Sequence, residues 1–306
     1  MSVSFVTPAL AQVPSGATVR AGSVSFAAPA ANQVVITQSS ARAVIDWRTF
    51  SIGAGNSVQF IQPNASAIAL NRVTGSQASL LQGSLSANGQ VWLLNPNGVF
   101  IGAGGQINSA GFLATTRALS DSDFLAGRYR FTDSVTPGAA VINLGTITAT
   151  NGGYAVLAGE QVRNEGLIQA NLGSVVLGGA KTFVMDVVGD KLLSFQVTGA
   201  VEIAPSTPGA LVDNSGRLIA DGGQVLISAR VLKGVIDSVI NTTGLVQANS
   251  TRLVNGVVTL DAGDSGQLVN TGLVTANNAE GTGGLITASA GSIVNTGTLS
   301  ADGGGG

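Results

Sequence analysis

Runs of four or five apolar residues, each closed by glycine, asparagine or aspartate, recur along the chain. Examples are Tyr154-Ala-Val-Leu-Ala158, Ser174-Val-Val-Leu177, Gln224-Val-Leu-Ile-Ser228, Val257-Val-Thr-Leu260 and Leu285-Ile-Thr-Ala288. They are rich in β-branched residues and bounded by turn formers, so they predict short strands. A second phrase alternates with them: Asn, one or two residues, Gly, then an apolar step ending in Ala. It reads Asn143-Leu-Gly-Thr-Ile-Thr-Ala149, Asn164-Glu-Gly-Leu-Ile-Gln-Ala170 and Asn214-Ser-Gly-Arg-Leu-Ile-Ala220. It returns as Asn241-Thr-Thr-Gly-Leu-Val-Gln-Ala248, Asn270-Thr-Gly-Leu-Val-Thr-Ala276 and Asn295-Thr-Gly-Thr-Leu-Ser-Ala301, with a looser copy at Asn108-Ser-Ala-Gly-Phe-Leu-Ala114.

The six Asn positions lie 21, 50, 27, 29 and 25 residues apart. Four of these intervals suit one coil of a parallel β solenoid. The long one reads as an excursion over residues 181–209, which has a different texture: Lys181, Met185, Asp186, Asp190 and Lys191. A hairpin is expected there. Each strand is unstable alone, but stacking gives every backbone N–H and C=O a partner in the coils above and below. Asn tolerates the turn backbone and forms side-chain ladders, and Gly supplies positive φ. At roughly 20–27 residues per coil the chain makes about 10–13 coils, a column of roughly 50–60 Å. The predicted class is all-β: a right-handed parallel β-helix with an N-terminal β cap and an extra-helical hairpin. Leucine-rich, propeller, calcium-roll and helical repeats lack their signatures here.

Composition narrows the chemistry. The 306 residues contain no histidine and no cysteine, which removes disulfides, thiolate nucleophiles, Ser-His-Asp triads and ordinary zinc sites. No metal and no cofactor are expected. A net charge of −2 with only 10% charged residues argues against nucleic-acid binding. Residues 1–120 hold five Arg and one Asp, whereas residues 121–306 hold nine Lys/Arg and fifteen Asp/Glu. The positive end is either a docking surface or a scatter of solvated side chains. Residues 1–11 end in Ala9-Leu10-Ala11, which predicts a secretory signal remnant cleaved after Ala11. Residues 12–131 then form the cap and motif region, and 132–306 form coils that continue into a longer shaft beyond Gly303–Gly306.

The motif region is less repetitive. Val34–Thr37, Ala43–Asp46 and Ser57–Phe60 read as strands covering the open end of the column. Further on, Asn95-Pro96-Asn97-Gly98 is a tight turn between Val91–Leu94 and Val99–Ile101. Together with Gly83–Gly89, the Asn71-Arg72-Val73 phrase and the segments Gly22–Ile36 and Ile45–Gly53, this turn resembles the N-terminal secretion domain of filamentous-haemagglutinin-like two-partner secretion exoproteins. The resemblance covers about residues 15–180, and more loosely the coils beyond. One slot departs from it. The family's Asn-Pro-Asn-Leu turn is Gln62-Pro63-Asn64-Ala65 here, which leaves the role of the first side chain open.

The resemblance implies Sec export to the periplasm and recognition by the POTRA domains of an outer-membrane barrel transporter. It then implies progressive folding at the cell surface of a Gram-negative bacterium. The residues it singles out for recognition or cap folding are Gln62, Pro63, Asn64, Asn71, Arg72, Asn95, Pro96, Asn97 and Gly98. Each also has a structural reading, as a turn or as a local hydrogen-bonding pair. Trp47 and Trp92 read as cap or core residues. A monomeric, non-enzymatic exoprotein is expected, with an adhesin-like filament downstream, or a haemolysin or contact-dependent inhibition toxin in its place. The filament's host-cell or surface ligand lies in that downstream part. A β-helix carbohydrate-active enzyme or carbohydrate-binding module is the rival class. It needs clustered carboxylates, and the closest pairs are Asp121/Asp123, Asp186/Asp190 and Asp261/Asp264, which also suit weak calcium sites.

Overall fold

The computed structural model describes residues 12–133, 136, 138–187, 193–205, 208–251 and 254–304. The expected signal remnant, and Asp190 and Lys191 of the excursion, lie outside these residues. The chain winds into a parallel β-helix with three faces. Among the described residues face A stacks eight parallel strands, from Ser79–Leu81 through Ala140–Asn143 and Gln161–Asn164 to Ser292–Asn295. Face B runs from Gln33–Gln38 to Thr298–Ser300, and face C from Arg42–Trp47 to Leu285–Ser289. Strands Gln106–Thr115 and Thr146–Gly159 bend across faces B and C without a break.

Among the described residues face B has ten rungs and face C nine, at the lower end of the 10–13 coils expected. Two segments leave the column and lengthen their coils. The first contains the helix Asp121–Leu125 and the strand Tyr129–Phe131. The second is the expected hairpin, Thr182–Val187 with Leu193–Gly199, which pairs with Tyr129–Phe131 in a separate antiparallel sheet. Gln161–Asn164 pairs directly with Val212–Asn214, so the interval of 50 is one coil plus this excursion.

The Asn-x-Gly phrase has two physical causes. The first is a buried amide ladder on face A. Asn143 Nδ2 donates to Asn164 Oδ1 at 2.8 Å, and Asn164 Nδ2 donates to Asn214 Oδ1 at 2.8 Å. Asn214 Nδ2 donates to Thr242 Oγ1 at 3.3 Å, and Asn270 Nδ2 to Asn295 Oδ1 at 2.6 Å. The second is a column of glycines: a Cβ on Gly166, Gly216, Gly244, Gly272 or Gly297 would lie 2.1–2.2 Å from the carbonyl oxygen of the glycine one coil earlier. Two readings shift. Thr242, not Asn241, occupies the ladder, because the extra residue in Asn241-Thr-Thr-Gly moves the register by one. Asn108 lies outside the ladder, on face B, because its phrase belongs to the bending strand Gln106–Thr115.

The N-terminal end is closed by antiparallel pairing. Thr18–Ala21 pairs with Arg42–Trp47, and Val24–Ala30 pairs with Gln33–Gln38. The closing strands, Thr18–Ala21 and Val24–Ala30, therefore precede the three expected ones, since Gln33–Gln38, Arg42–Trp47 and Ser57–Ile61 are already rungs of the column. Phe26 and Phe50 meet Trp47 edge-on at 5.6 and 5.4 Å and plug the end.

Face C is buried on both sides. Inward, Ala69, Val91, Phe112, Ala155, Val175, Val225 and Val258 stack in one column of the core. Outward, the column Val44, Leu70, Trp92, Leu113, Val156, Val176 packs under Phe124, Tyr129, Phe131, Phe183 and Phe195 of the two excursions. Where that cover ends, the outward column changes to Thr259 and Thr287. Two-sided burial explains the unbroken apolar run Val91–Leu94, and one-sided burial the alternation in Val257–Asp261.

Candidate functional site

The motif residues fall in three clusters on neighbouring coils. The Asn95–Gly98 turn joins the face C strand Gln90–Leu94 to the face A strand Val99–Ile101. Asn95 is 0% exposed. Its Nδ2 donates to Gln77 O at 3.0 Å and to Ser79 Oγ at 2.9 Å. Its Oδ1 accepts from the backbone N of Asn97 at 2.9 Å and from Asn97 Nδ2 at 3.1 Å. Asn97 Nδ2 also donates to Gly75 O at 2.8 Å. Gly98 has φ +111°, open to glycine but strained for other residues. The two amides thus clamp the turn onto the loop at residues 75–79 one coil earlier. Pro96 and Asn97 are half-buried.

The second cluster is the departing turn. Gln62 is buried, while Pro63 and Asn64 are exposed. Gln62 Nε2 lies within bonding distance of Gln38 Oε1, Ala67 O and Gln90 O, at 3.1, 3.0 and 3.2 Å. Asn88 holds the Gln62 backbone from both sides, accepting from its N and donating to its O, each at 2.7 Å. The longer glutamine reaches across three successive coils. Asn64 Oδ1 closes its own turn by accepting from Ser66 N and Ser66 Oγ.

The third cluster separates Asn71 from Arg72. Asn71 points into the column between Ile45 and Leu93, is 0% exposed, and accepts from Trp47 Nε1 at 3.0 Å. Its Nδ2 donates to Ala69 O and Trp92 O. It ties the cap's central tryptophan to the second rung. Arg72 points outward and bridges Asp46 at 2.7 Å and Asp121 at 2.8 Å. Burial works against its charge, but the hydrogen bonds it donates to Asp121 and Asp46, with their negative charges, outweigh it and raise its pKa. Through Asp121 this arginine holds the short helix of the first excursion against face C.

Two features escaped the sequence reading. Trp92 Nε1 donates to Tyr154 Oη at 2.7 Å, which donates to Gln90 Oε1 at 2.5 Å, a buried chain beneath the aromatic cover. Arg117 is 1% exposed and meets Asp133 at 2.8 Å and Glu160 at 3.4 Å. It also lies 3.4 Å from Lys181 O, so the bases of both excursions join at this one guanidinium. The unbroken apolar runs of face C were the available signal for the cover.

Asp121, Asp123 and Asp261 are bound to Arg72, Arg128 and Arg230. Among the described residues no group of three or more acidic side chains is placed to hold a metal ion, and no helix is long and apolar enough to cross a membrane. The positive end is also largely committed: Arg72 and Arg117 pair with acids from the acidic part of the chain.

Known proteins share this architecture. The pattern defining the TPS secretion domain family matches residues 11–276. The heme/hemopexin-binding protein of Haemophilus influenzae strain Rd is 34% identical over 260 residues, covering 82% of this chain and 27% of that protein. A second heme/hemopexin-binding protein of H. influenzae is 33% identical over 272 residues, covering 81% and 28%. The crystal structure of the HMW1 secretion domain from H. influenzae superposes with a TM-score of 0.83 at 29% identity, over 95% of this chain and 74% of that one. The chain therefore spans little more than a quarter of the length of the curated relatives it matches.

Proposed function

The chain belongs to the TPS secretion domain family, and from that premise we propose that its motif residues serve export as an unfolded chain and become folding locks afterwards. Exoproteins of this family are secreted, and a TPS domain implies a cognate outer-membrane transporter. The finer steps are our reading: Sec export with cleavage after Ala11, recognition by POTRA domains through Gln62–Asn64, Asn71-Arg72 and Asn95–Gly98, and folding outside the cell. The family is one of secretion domains rather than enzymes, and the proposal gives this chain no catalytic step. It treats residues 12–131 as the cap and recognition region and 132–306 as the first coils of a shaft.

The observation that carries the reading is burial. Asn95 and Asn71 have no exposed surface, and Gln62 has almost none. A partner reads such side chains before the coils close. Closure then hides them, and coil-by-coil stacking makes the step directional without an external energy source.

Export with the cognate transporter tests this, using the chain behind a complete signal peptide. Ser84→Cys with Gln106→Cys places two thiols on paired face B rungs. An oxidising periplasm will join them and close those coils early. Export should fall in the oxidised variant and recover with reductant. Equal export of oxidised and reduced forms would overturn the unfolded-passage reading. Wild-type export that ignores the transporter would overturn the secretion reading itself.

For the rest of the exoprotein we propose an adhesin-like filament bearing the host-cell or surface ligand site, presented at the cell surface. Haemolysin and growth-inhibition toxin remain rival cargoes. The relatives' names favour heme or hemopexin binding as a further alternative, although the likeness covers only 27% of the first relative's length. Titrating hemin and hemopexin into the whole exoprotein separates that reading from adhesion.

A further inference from the structure

The chain holds four Asn-Gly pairs: Asn88-Gly89, Asn97-Gly98, Asn151-Gly152 and Asn255-Gly256. In such a pair no Cβ screens the glycine nitrogen from the asparagine side-chain carbonyl. Folding decides which nitrogen can reach it. Asn88 is exposed, but it grips the Gln62 backbone with both ends of its amide, at 2.7 Å each. Asn97 Nδ2 donates to Gly75 O and Asn95 Oδ1, and Gly98 N donates to Asn95 O. At the third pair the attacking atom is tied, because Gly152 N donates to Asn171 O of the next coil at 2.9 Å. Asn255 differs. It lies in the irregular stretch before the strand Val257–Asp261, it is exposed, and among the described residues its side chain bonds to nothing. Gly256 N is held by a side-chain hydroxyl, Ser250 Oγ at 3.0 Å, which can rotate away.

We propose that Asn255-Gly256 modifies itself to isoaspartate and thereby opens the rung that starts at Gly256. The Gly256 nitrogen attacks the Asn255 side-chain carbonyl carbon. A C–N bond forms, the bond to Nδ2 breaks, and Nδ2 leaves as ammonia with the proton from Gly256. Water then opens the cyclic imide at either carbonyl, giving aspartate or isoaspartate, with no oxidant or reductant needed. In isoaspartate the main chain runs through the former side chain and gains a methylene. The rung has no room for it. Gly256 is buried, and a Cβ on Gly256, or on Gly284 one coil later, would run into a backbone carbonyl. The Gly256 carbonyl accepts from Leu285 N at 3.0 Å, and Val257 N donates to Gly223 O at 3.0 Å. A methylene ahead of Gly256 takes both bonds out of line. This site is independent of the secretion reading.

The test is peptide mapping by mass spectrometry of the whole chain, kept folded in warm, mildly alkaline buffer, with the urea-unfolded chain as comparator. Isoaspartyl methyltransferase labels the isoaspartate product. In urea all four asparagines should react. In the folded chain Asn255 should react first, and Asn88 about tenfold more slowly, because both of its hydrogen bonds must open beforehand. The isoaspartate form, separated by chromatography, should lose amide-exchange protection over Val257–Asp261 and Leu285–Ser289. Asn255→Asp adds the charge without the methylene and should keep that protection. The proposal is overturned if Asn88 or Asn97 keeps pace with Asn255 in the folded chain. It is overturned equally if Asn255 stays intact while the chain is folded, or if the isoaspartate form and Asn255→Asp are protected alike.

Discussion

Asn95→Ala removes one side chain and four short contacts. The amide donates to Gln77 O and Ser79 Oγ and accepts from Asn97 N and Asn97 Nδ2. The site is sealed from water, so the groups left behind gain no solvent partner. At about 0.5–1.5 kcal/mol net per hydrogen bond, with buried groups left unsatisfied, the loss is about 2–4 kcal/mol. Asn97→Ala is the control: Asn97 is half-buried, water replaces part of its bond to Gly75 O, and about 1 kcal/mol is expected. Asn95→Asp should fall nearer to alanine than to wild type, because a carboxylate keeps the acceptor but cannot donate to Gln77 O. The assay is urea unfolding followed by the fluorescence of Trp47 and Trp92, both buried, with amide exchange across residues 75–101 as a local readout. Exchange matters because solenoids open by sections rather than all at once. A loss below about 0.5 kcal/mol for Asn95→Ala, or a loss no larger than that for Asn97→Ala, would refute the clamp.

Three further outcomes follow from the geometry. Gly216→Ala sets a Cβ 2.2 Å from the carbonyl oxygen of Gly166, and it should cost about 3 kcal/mol or more, seen as lost exchange protection in the neighbouring rungs. Arg117→Met leaves Asp133 and Glu160 facing an apolar stem. Both acids reach water in part, so about 2–3 kcal/mol is expected, with faster proteolysis in both excursions; unchanged cleavage there refutes the junction. Burial raises the pKa of Tyr154 far above its ordinary value of 10. The folded state therefore holds that proton more tightly than the unfolded state. The associated stability is complete below pH 10 and is lost above it at about 1.4 kcal/mol per pH unit. Tyr154 should add nothing to the 295 nm absorbance until the chain unfolds, and full two-tyrosine ionisation of folded protein would contradict its burial.

The solenoid was legible because its interactions repeat. A buried Asn needs an amide neighbour one coil away, and a glycine beside it must admit the next carbonyl. Both demands recur from coil to coil along most of face A after Asn143 and leave the Asn-x-Gly phrase. The same logic failed wherever an insertion changed the count. Asn241 looked like a ladder residue, but one extra residue hands the position to Thr242. The motif turns were legible as turns, yet nothing local told that Asn71 points inward to Trp47 while Arg72 points outward to Asp121. Strand alternation separates the two, but their partners lie 24 and 49 residues away.

By itself, then, the sequence determined the β class, the coil phrase, the excursion near residue 181 and the Asn95–Gly98 turn. Each rests on contacts between adjacent residues or equivalent positions in adjacent coils, and so is written as composition or period. Only the tertiary structure decided that face C is roofed, that Trp92 lies beneath Phe124 and Tyr129 at 5.6 and 4.7 Å, and that Arg117 joins the two excursions. Such contacts occur once, between segments far apart in the chain. Their energy comes from apolar area and charge brought together by the completed column, and a contact made once leaves no repeat to read.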